Sequence, residues 1–167
     1  MLELNDNTRL DENKDVGGYV DIEVWRTGKH GPVLIQKERS HNLITNVGKK
    51  YIWRRMANND ATNTAPIFDH FRVGASSAAA TSGGTGLTTP VAGTIQTVDT
   101  KTFSSGRTFQ WMMSYAVGDL SAAAIKEVAL YNKQTSPGGS SMMRCVFATV
   151  TMTLADKLKI TYSARCT

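Results

Sequence analysis

The stretch Lys157-Leu-Lys-Ile-Thr-Tyr-Ser-Ala-Arg165 alternates without a break: Leu158, Ile160, Tyr162 and Ala164 fall on one side, Lys157, Lys159, Thr161 and Ser163 on the other. A period of two is that of a pleated strand with one buried face. The pattern recurs along the chain. Tyr19–Trp25 sets Val20, Ile22 and Val24 against Asp21 and Glu23, and Thr108–Tyr115 puts Phe109, Trp111, Met113 and Tyr115 on one face. A glycine-rich turn at Arg26–Gly31 followed by Val33–Glu38 predicts a hairpin with the first strand. Ile67–Val73, Thr94–Phe103, Ile125–Tyr131 and Met142–Thr151 read as further strands. Turn signals at Ser104–Gly106 and Thr135–Ser141, and a small helical or turn segment at Leu120–Ala124, separate them. Evenly spaced short strands with such turns predict an all-β chain, an antiparallel β-sandwich of jelly-roll type. Its expected core is Val20, Ile22, Val24, Phe109, Trp111, Tyr115, Val128, Leu130, Leu158 and Ile160.

One segment breaks the period. Asn42–Thr45 reads as the tail of a strand, and Thr45 or Asn46 is placed to cap a helix that runs to Met56. Val47, Tyr51, Ile52, Arg55 and Met56 recur at three- and four-residue spacing and give it an apolar side. Lys49, Lys50, Arg54 and Arg55 crowd the remaining surface. That charge has two readings, a solvated face or a docking surface for an acidic partner.

Residues 1–18 form a polar, extended N-terminal arm, and residues 19–167 the sandwich domain. In the arm Glu3, Asp6, Asp11, Glu12 and Asp15 outweigh Arg9 and Lys14, leaving it acidic by three. So few apolar side chains cannot fold alone, which predicts that the arm lies on another surface. Leu2, Leu4 and Leu10 are its candidate anchors, the basic helix its candidate receptor, and Gly17-Gly18 the expected hinge. Asp11-x-Asn13-x-Asp15 opens like a calcium loop, but Val16 stands where the loop needs glycine and Ile22 where it needs glutamate. A polar turn without metal is expected there.

The small-residue tract from Gly74 to Gly93 lacks the Lys-Ser/Thr pair of a phosphate-binding loop and the spacing of a dinucleotide fingerprint. It is expected to be a flexible surface loop, pinned by Leu87. His30, His41 and His70 have no metal-ligand spacing, and no serine stands in a Gly-x-Ser-x-Gly elbow. These patterns argue against an enzyme, a metal site and a cofactor. Cys145 alternates with Met143 and Phe147 as a core residue would, and Cys166 is expected to be a free thiol near the surface, with a bridge between the two as the alternative.

A length of 167 residues suits one domain with its own core, and no apolar run approaches the eighteen residues of a membrane span. Nothing in the N-terminal residues reads as a signal peptide, so synthesis in a reducing compartment is expected. A net charge of +5 permits nucleic-acid binding, yet the basic residues are dispersed outside the helix and no reading element accompanies them. Sequence-specific nucleic-acid binding is not expected.

The order of these segments resembles a known group. Asn42-Leu-Ile-Thr-Asn before a helix with Gly48-Lys-Lys-Tyr is followed by Phe71-Arg-Val-Gly-Ala-Ser and a small-residue loop ending in Gly86-Leu-Thr. Ile125-Lys-Glu-Val-Ala-Leu-Tyr131, Met143-Arg-Cys-Val-Phe147 and Leu158-Lys-Ile-Thr-Tyr162 then close the chain. From about residue 19 to 165 this is similar to small structural proteins of tailed bacteriophage virions, which include capsid decoration (cement) proteins and tail or fibre components. The resemblance implies a jelly-roll or related sandwich used as an oligomer without a cofactor. The expected function is that of a cement protein, made in the host cytoplasm and bound as a homotrimer to the major capsid protein on the virion surface. A tail, adaptor or fibre component is the alternative within the group. A carbohydrate-binding sandwich module, with Trp25 or Trp53 stacking on sugars, is the alternative outside it.

Overall fold

The computed structural model describes residues 16–56, 67–104, 108–120, 124–132 and 140–166. Two five-stranded antiparallel sheets face each other. The first has the order β2 (Gly31–His41), β1 (Val16–Gly28), β10 (Asp156–Cys166), β7 (Thr108–Tyr115), β6 (Thr100–Ser104). The second runs β3 (Leu43–Ile44), β9 (Ser141–Thr151), β8 (Ala124–Tyr131), β4 (His70–Gly74), β5 (Gln96–Thr97). Among the described residues there is one helix, α1 (Asn46–Met56), which follows β3 and precedes β4, both strands of the second sheet. The all-β sandwich expected from the sequence is what the chain forms; this strand order does not by itself identify a jelly roll.

Register explains the core. Across the inner face of the first sheet lie the rows Val24–Leu158–Tyr115, Ile22–Ile160–Met113, Val20–Tyr162–Trp111 and Gly18–Ala164–Phe109. Opposite them run Phe71–Leu130–Met143–Ile44 and Val73–Val128–Cys145. The first two rows of the first sheet, and both rows facing them, are buried throughout. Of the ten expected core residues, Phe109 and Trp111 are only half-buried, because their rows lie at one end of the sandwich. Cys145 is a buried free thiol, and burial pushes its pKa up to about 11; the side chain of Cys166 lies outside the described residues.

The chain crosses between the sheets four times, at β2–β3, β5–β6, β7–β8 and β9–β10, and the first two crossings are the shortest. β2 leads through Asn42 into β3, and Thr45 then caps α1 by accepting a bond from the Gly48 N–H at 3.0 Å. The segment read as one strand, Thr94–Phe103, divides into β5 and β6. At the crossing the Val98 N–H reaches the Asp69 carbonyl at 2.7 Å, and the Asp99 N–H reaches Met112 at 2.8 Å, so adjacent residues bond to opposite sheets. Ile67, expected inside a strand, precedes β4 and is 59% exposed.

Two glycine expectations are corrected. Gly17 and Gly18 are not a hinge: they pair with Arg165 and Ala164 in an unbroken ladder. A Cβ on Gly18 would meet the Ser163 carbonyl at 2.5 Å, so close packing accounts for the glycine there. The tract after Gly74 is not a loose loop either. It lies over the outer face of the second sheet, held by the bonds described next.

Candidate functional site

On β8 and β9, Glu127 and Arg144 occupy outward positions that would face water in a bare sheet. The tract 75–90 covers them, leaving the Glu127 side chain 0% and the Arg144 side chain 6% exposed. The Arg144 guanidinium meets the Glu127 carboxylate at 2.7 Å and donates to the Ala78 and Ala79 carbonyls at 2.8 and 3.2 Å. The same carboxylate accepts from the Thr89, Thr88 and Ser76 N–H groups at 2.9, 3.2 and 3.4 Å. The Leu87 N–H donates to the Tyr131 hydroxyl at 2.7 Å, so the pinning expected of Leu87 runs through its backbone. Small residues let the tract come this close: a Cβ on Gly86 would stand 2.6 Å from the Tyr131 oxygen. The ion pair is therefore a fastener, with its lone pairs and protons occupied by the chain itself.

The open feature lies at the other end of the same architecture. In the row Gly18–Ala164–Phe109 one strand contributes no side chain and the next only a methyl group, where the preceding row has Val20 and Tyr162. The sheets are not filled there, and a groove of about 630 Å³ remains. Phe109, Trp111, Tyr162 and Ala164 form one wall; Ile44, Met142, Phe68 and the helix residues Tyr51 and Ile52 form the other. Trp111 packs between Phe109 and Tyr162, with ring centroids at 4.2 and 5.2 Å, and its indole N–H donates to the Phe68 carbonyl at 3.1 Å. Tyr51 meets Phe68 edge-on at 5.5 Å. The Tyr162 hydroxyl accepts from the Asn42 amide at 2.8 Å, and burial pushes its pKa well above the usual phenol range. Among the described residues Lys101 is the one charged residue in the lining, with its ammonium 3.6 Å from Asp69. Ile67 and Phe103, 59% and 73% exposed, extend the apolar surface around it.

Of the residues proposed from the sequence, Lys49 is half-buried and Lys50 exposed on α1, on the turn that presents Tyr51 and Ile52 to the groove. Arg54 and Arg55 lie on the same helix, with side chains outside the described residues, as is Trp53. Leu2, Leu4 and Leu10 lie outside them too, as do Asp11, Asn13 and Asp15. Ile22, at the twelfth position of the calcium-like pattern, is buried in β1. His30 stands in the β1–β2 turn, His41 ends β2 and His70 opens β4; among the described residues no three His, Cys, Asp or Glu side chains could hold a metal ion. Trp25 is half-buried and donates to Glu23 at 3.3 Å.

Two features went unrecognised in the sequence. Arg144 stands as a lone charge within Met142–Phe147, and Glu127 sits beside Lys126 in the otherwise apolar Ile125–Tyr131, which is the signal of a buried pair. Gly18 and Ala164 at inward positions of alternating strands are the signal of an unfilled end. What the groove can do chemically is limited: it can bury apolar surface, and its Lys101 already faces the Asp69 carboxylate. Compared with protein-family models, with curated proteins and with solved structures, the chain has no match.

Proposed function

We propose that the chain is a structural protein of a tailed-phage virion, a cement protein that binds the major capsid protein as a homo-oligomer, taken as a trimer. The observation that carries this reading is the surface at the tip of the β1–β2 hairpin. Val33, Leu34 and Ile35, consecutive on an edge strand, are 52%, 41% and 49% exposed. An edge strand with adjoining apolar side chains is a template for contact with another protein, and soluble domains ordinarily blunt such edges with charge. β2 does carry charge further along, at Lys37, Glu38 and Arg39, so the bare aliphatic tip is a local choice.

The test is to add the purified protein to capsids that lack it and to count bound copies. Saturable binding at hundreds of copies per capsid is the expected result. Tens of copies, confined to one vertex or to the tail, would replace this reading by that of a tail, adaptor or fibre component. The carbohydrate-binding alternative is favoured by the exposed ring of Phe103, which lies 6.4 Å from Phe109. Against it, the groove offers little besides Lys101 to hydrogen-bond sugar hydroxyls, and sugar sites combine stacking with polar groups. Binding to a glycan array through Phe103, lost in Phe103→Ala, would support it.

A further inference from the structure

We propose that the groove is the seat of the N-terminal arm of a neighbouring copy of the chain, with Leu2 and Leu4 entering it. This goes beyond the virion reading and holds whatever larger structure the copies join.

Four observations converge. The first is position: β1 starts at Val16, paired with Cys166, and Gly18 pairs with Ala164 of the groove wall. The arm therefore leaves the sandwich at the end where the groove lies. Fifteen residues precede Val16, an extended reach of about 50 Å. The second is pattern: Leu2 and Leu4 are two apart, so an extended arm presents both on one side. The third is charge. The arm is acidic by three, and among the described residues Lys49 and Lys50 stand on the helix turn that closes the groove, with Lys101 in its lining 3.6 Å from Asp69.

The fourth is direction, which selects a neighbour over the arm's own groove. Gly17 and Gly18 continue the ladder in register, so the chain does not turn there. At Val16 it is heading out of the sheet, past the row that lines its own groove. A neighbouring molecule lying ahead of the strand receives such an arm without any reversal, and arms passed from copy to copy around a ring give a closed assembly. Apolar burial supplies the affinity, and the exposed charge pairs guide approach more than they add strength.

The experiment compares the full chain with a variant lacking residues 1–10, using sedimentation and the apolar dye anilinonaphthalene sulfonate. The full chain is expected to self-associate and bind little dye. The truncated chain is expected to keep its circular dichroism spectrum, sediment as a monomer and bind several times more dye. Leu2→Asp combined with Leu4→Asp should weaken association by roughly a hundredfold or more. Lys101→Glu should weaken it in low salt and much less in about 0.5 M salt. In a Cys166→Ser background, mixing a Leu4→Cys preparation with an Ile52→Cys preparation under oxidised glutathione should yield a covalent dimer. Unchanged oligomer size on truncation would overturn the proposal, as would a truncated chain that binds no additional dye. A bridge that forms only within single chains carrying both cysteines would also overturn it, because the arm would then fill its own groove.

Discussion

Glu127 accepts hydrogen bonds from three backbone N–H groups of the covering tract while facing Arg144, so its charge is matched entirely by the protein. Removing one member of a buried pair leaves the other charge without compensation. Glu127→Gln is therefore expected to lower stability by about 3–5 kcal/mol in chemical denaturation. Amide exchange over residues 75–90 should accelerate beyond that of the core strands, because the tract loses its main anchor. Asp156 shows the same chemistry with a partner nearer water, its own side chain being 0% and that of Arg26 43% exposed. Arg26 donates to both of its carboxylate oxygens, at 2.7 and 3.0 Å, and the Thr153 N–H and hydroxyl add bonds at 2.8 and 2.7 Å. The bond from Arg26, with those from Thr153, holds the carboxyl well below its usual range. A pKa lowered on folding contributes stability that is complete above the unfolded value, near 3.8, and is lost as pH falls toward the folded value. Asp156→Asn is expected to lower the Tm at pH 7 and to narrow its gap to the parent as pH drops below about 4. A constant gap from pH 7 to pH 2 would remove this role.

Among the elements, the strands were the most legible and their partners the least. Alternation locates β1, β7 and β10 because each has one face inside, and that information lies within the strand itself. It cannot show that Thr94–Phe103 changes sheets, since Val98 is buried in either account and the change lies in which backbone groups its neighbours meet. Nor can it show that Phe109 and Trp111 line a groove, because that depends on small residues in other strands. The charges that define the buried fastener are equally silent until β8, β9 and the tract are assembled. The helix is the most exacting element. Gly48 lies so close to β9 that a Cβ would collide with the Met142 carbonyl. Gly48→Val is expected to lift α1, lower stability by about 1–3 kcal/mol, and speed amide exchange in the helix. Unchanged exchange there would mean that the contact is not what seats it.

For the whole molecule, apolar contact surface lies both at the bare hairpin tip and at the groove, where one sheet row runs out of side chains. The basic helix stands beside the groove, where the proposed arm would meet its charge. Reversing Lys49, Lys50, Arg54 and Arg55 together to Glu is expected to weaken assembly in low salt while the isolated sandwich stays folded. Added salt screens exposed pairs over about 8–10 Å, so parent and variant should converge as ionic strength rises. Equal assembly at every salt concentration would assign those charges to solvation alone. The pairing of β1 with β10 has a further consequence, for synthesis. Arg26 meets Asp156 130 positions later, and these two strands lie side by side within the first sheet. A ribosome adding about 5–20 residues per second needs of the order of ten seconds to make the second strand after the first. Through that interval β1 and β2 wait as a hairpin, with Val20, Ile22 and Val24 lacking the neighbour strand that completes their rows. Nascent chains arrested before Asp156 are expected to be digested by a protease that spares chains carried past Cys166. Folding of this sheet is thus deferred until β10 has been translated, and a chain that stops short of it yields prey for proteases instead of a defective building block.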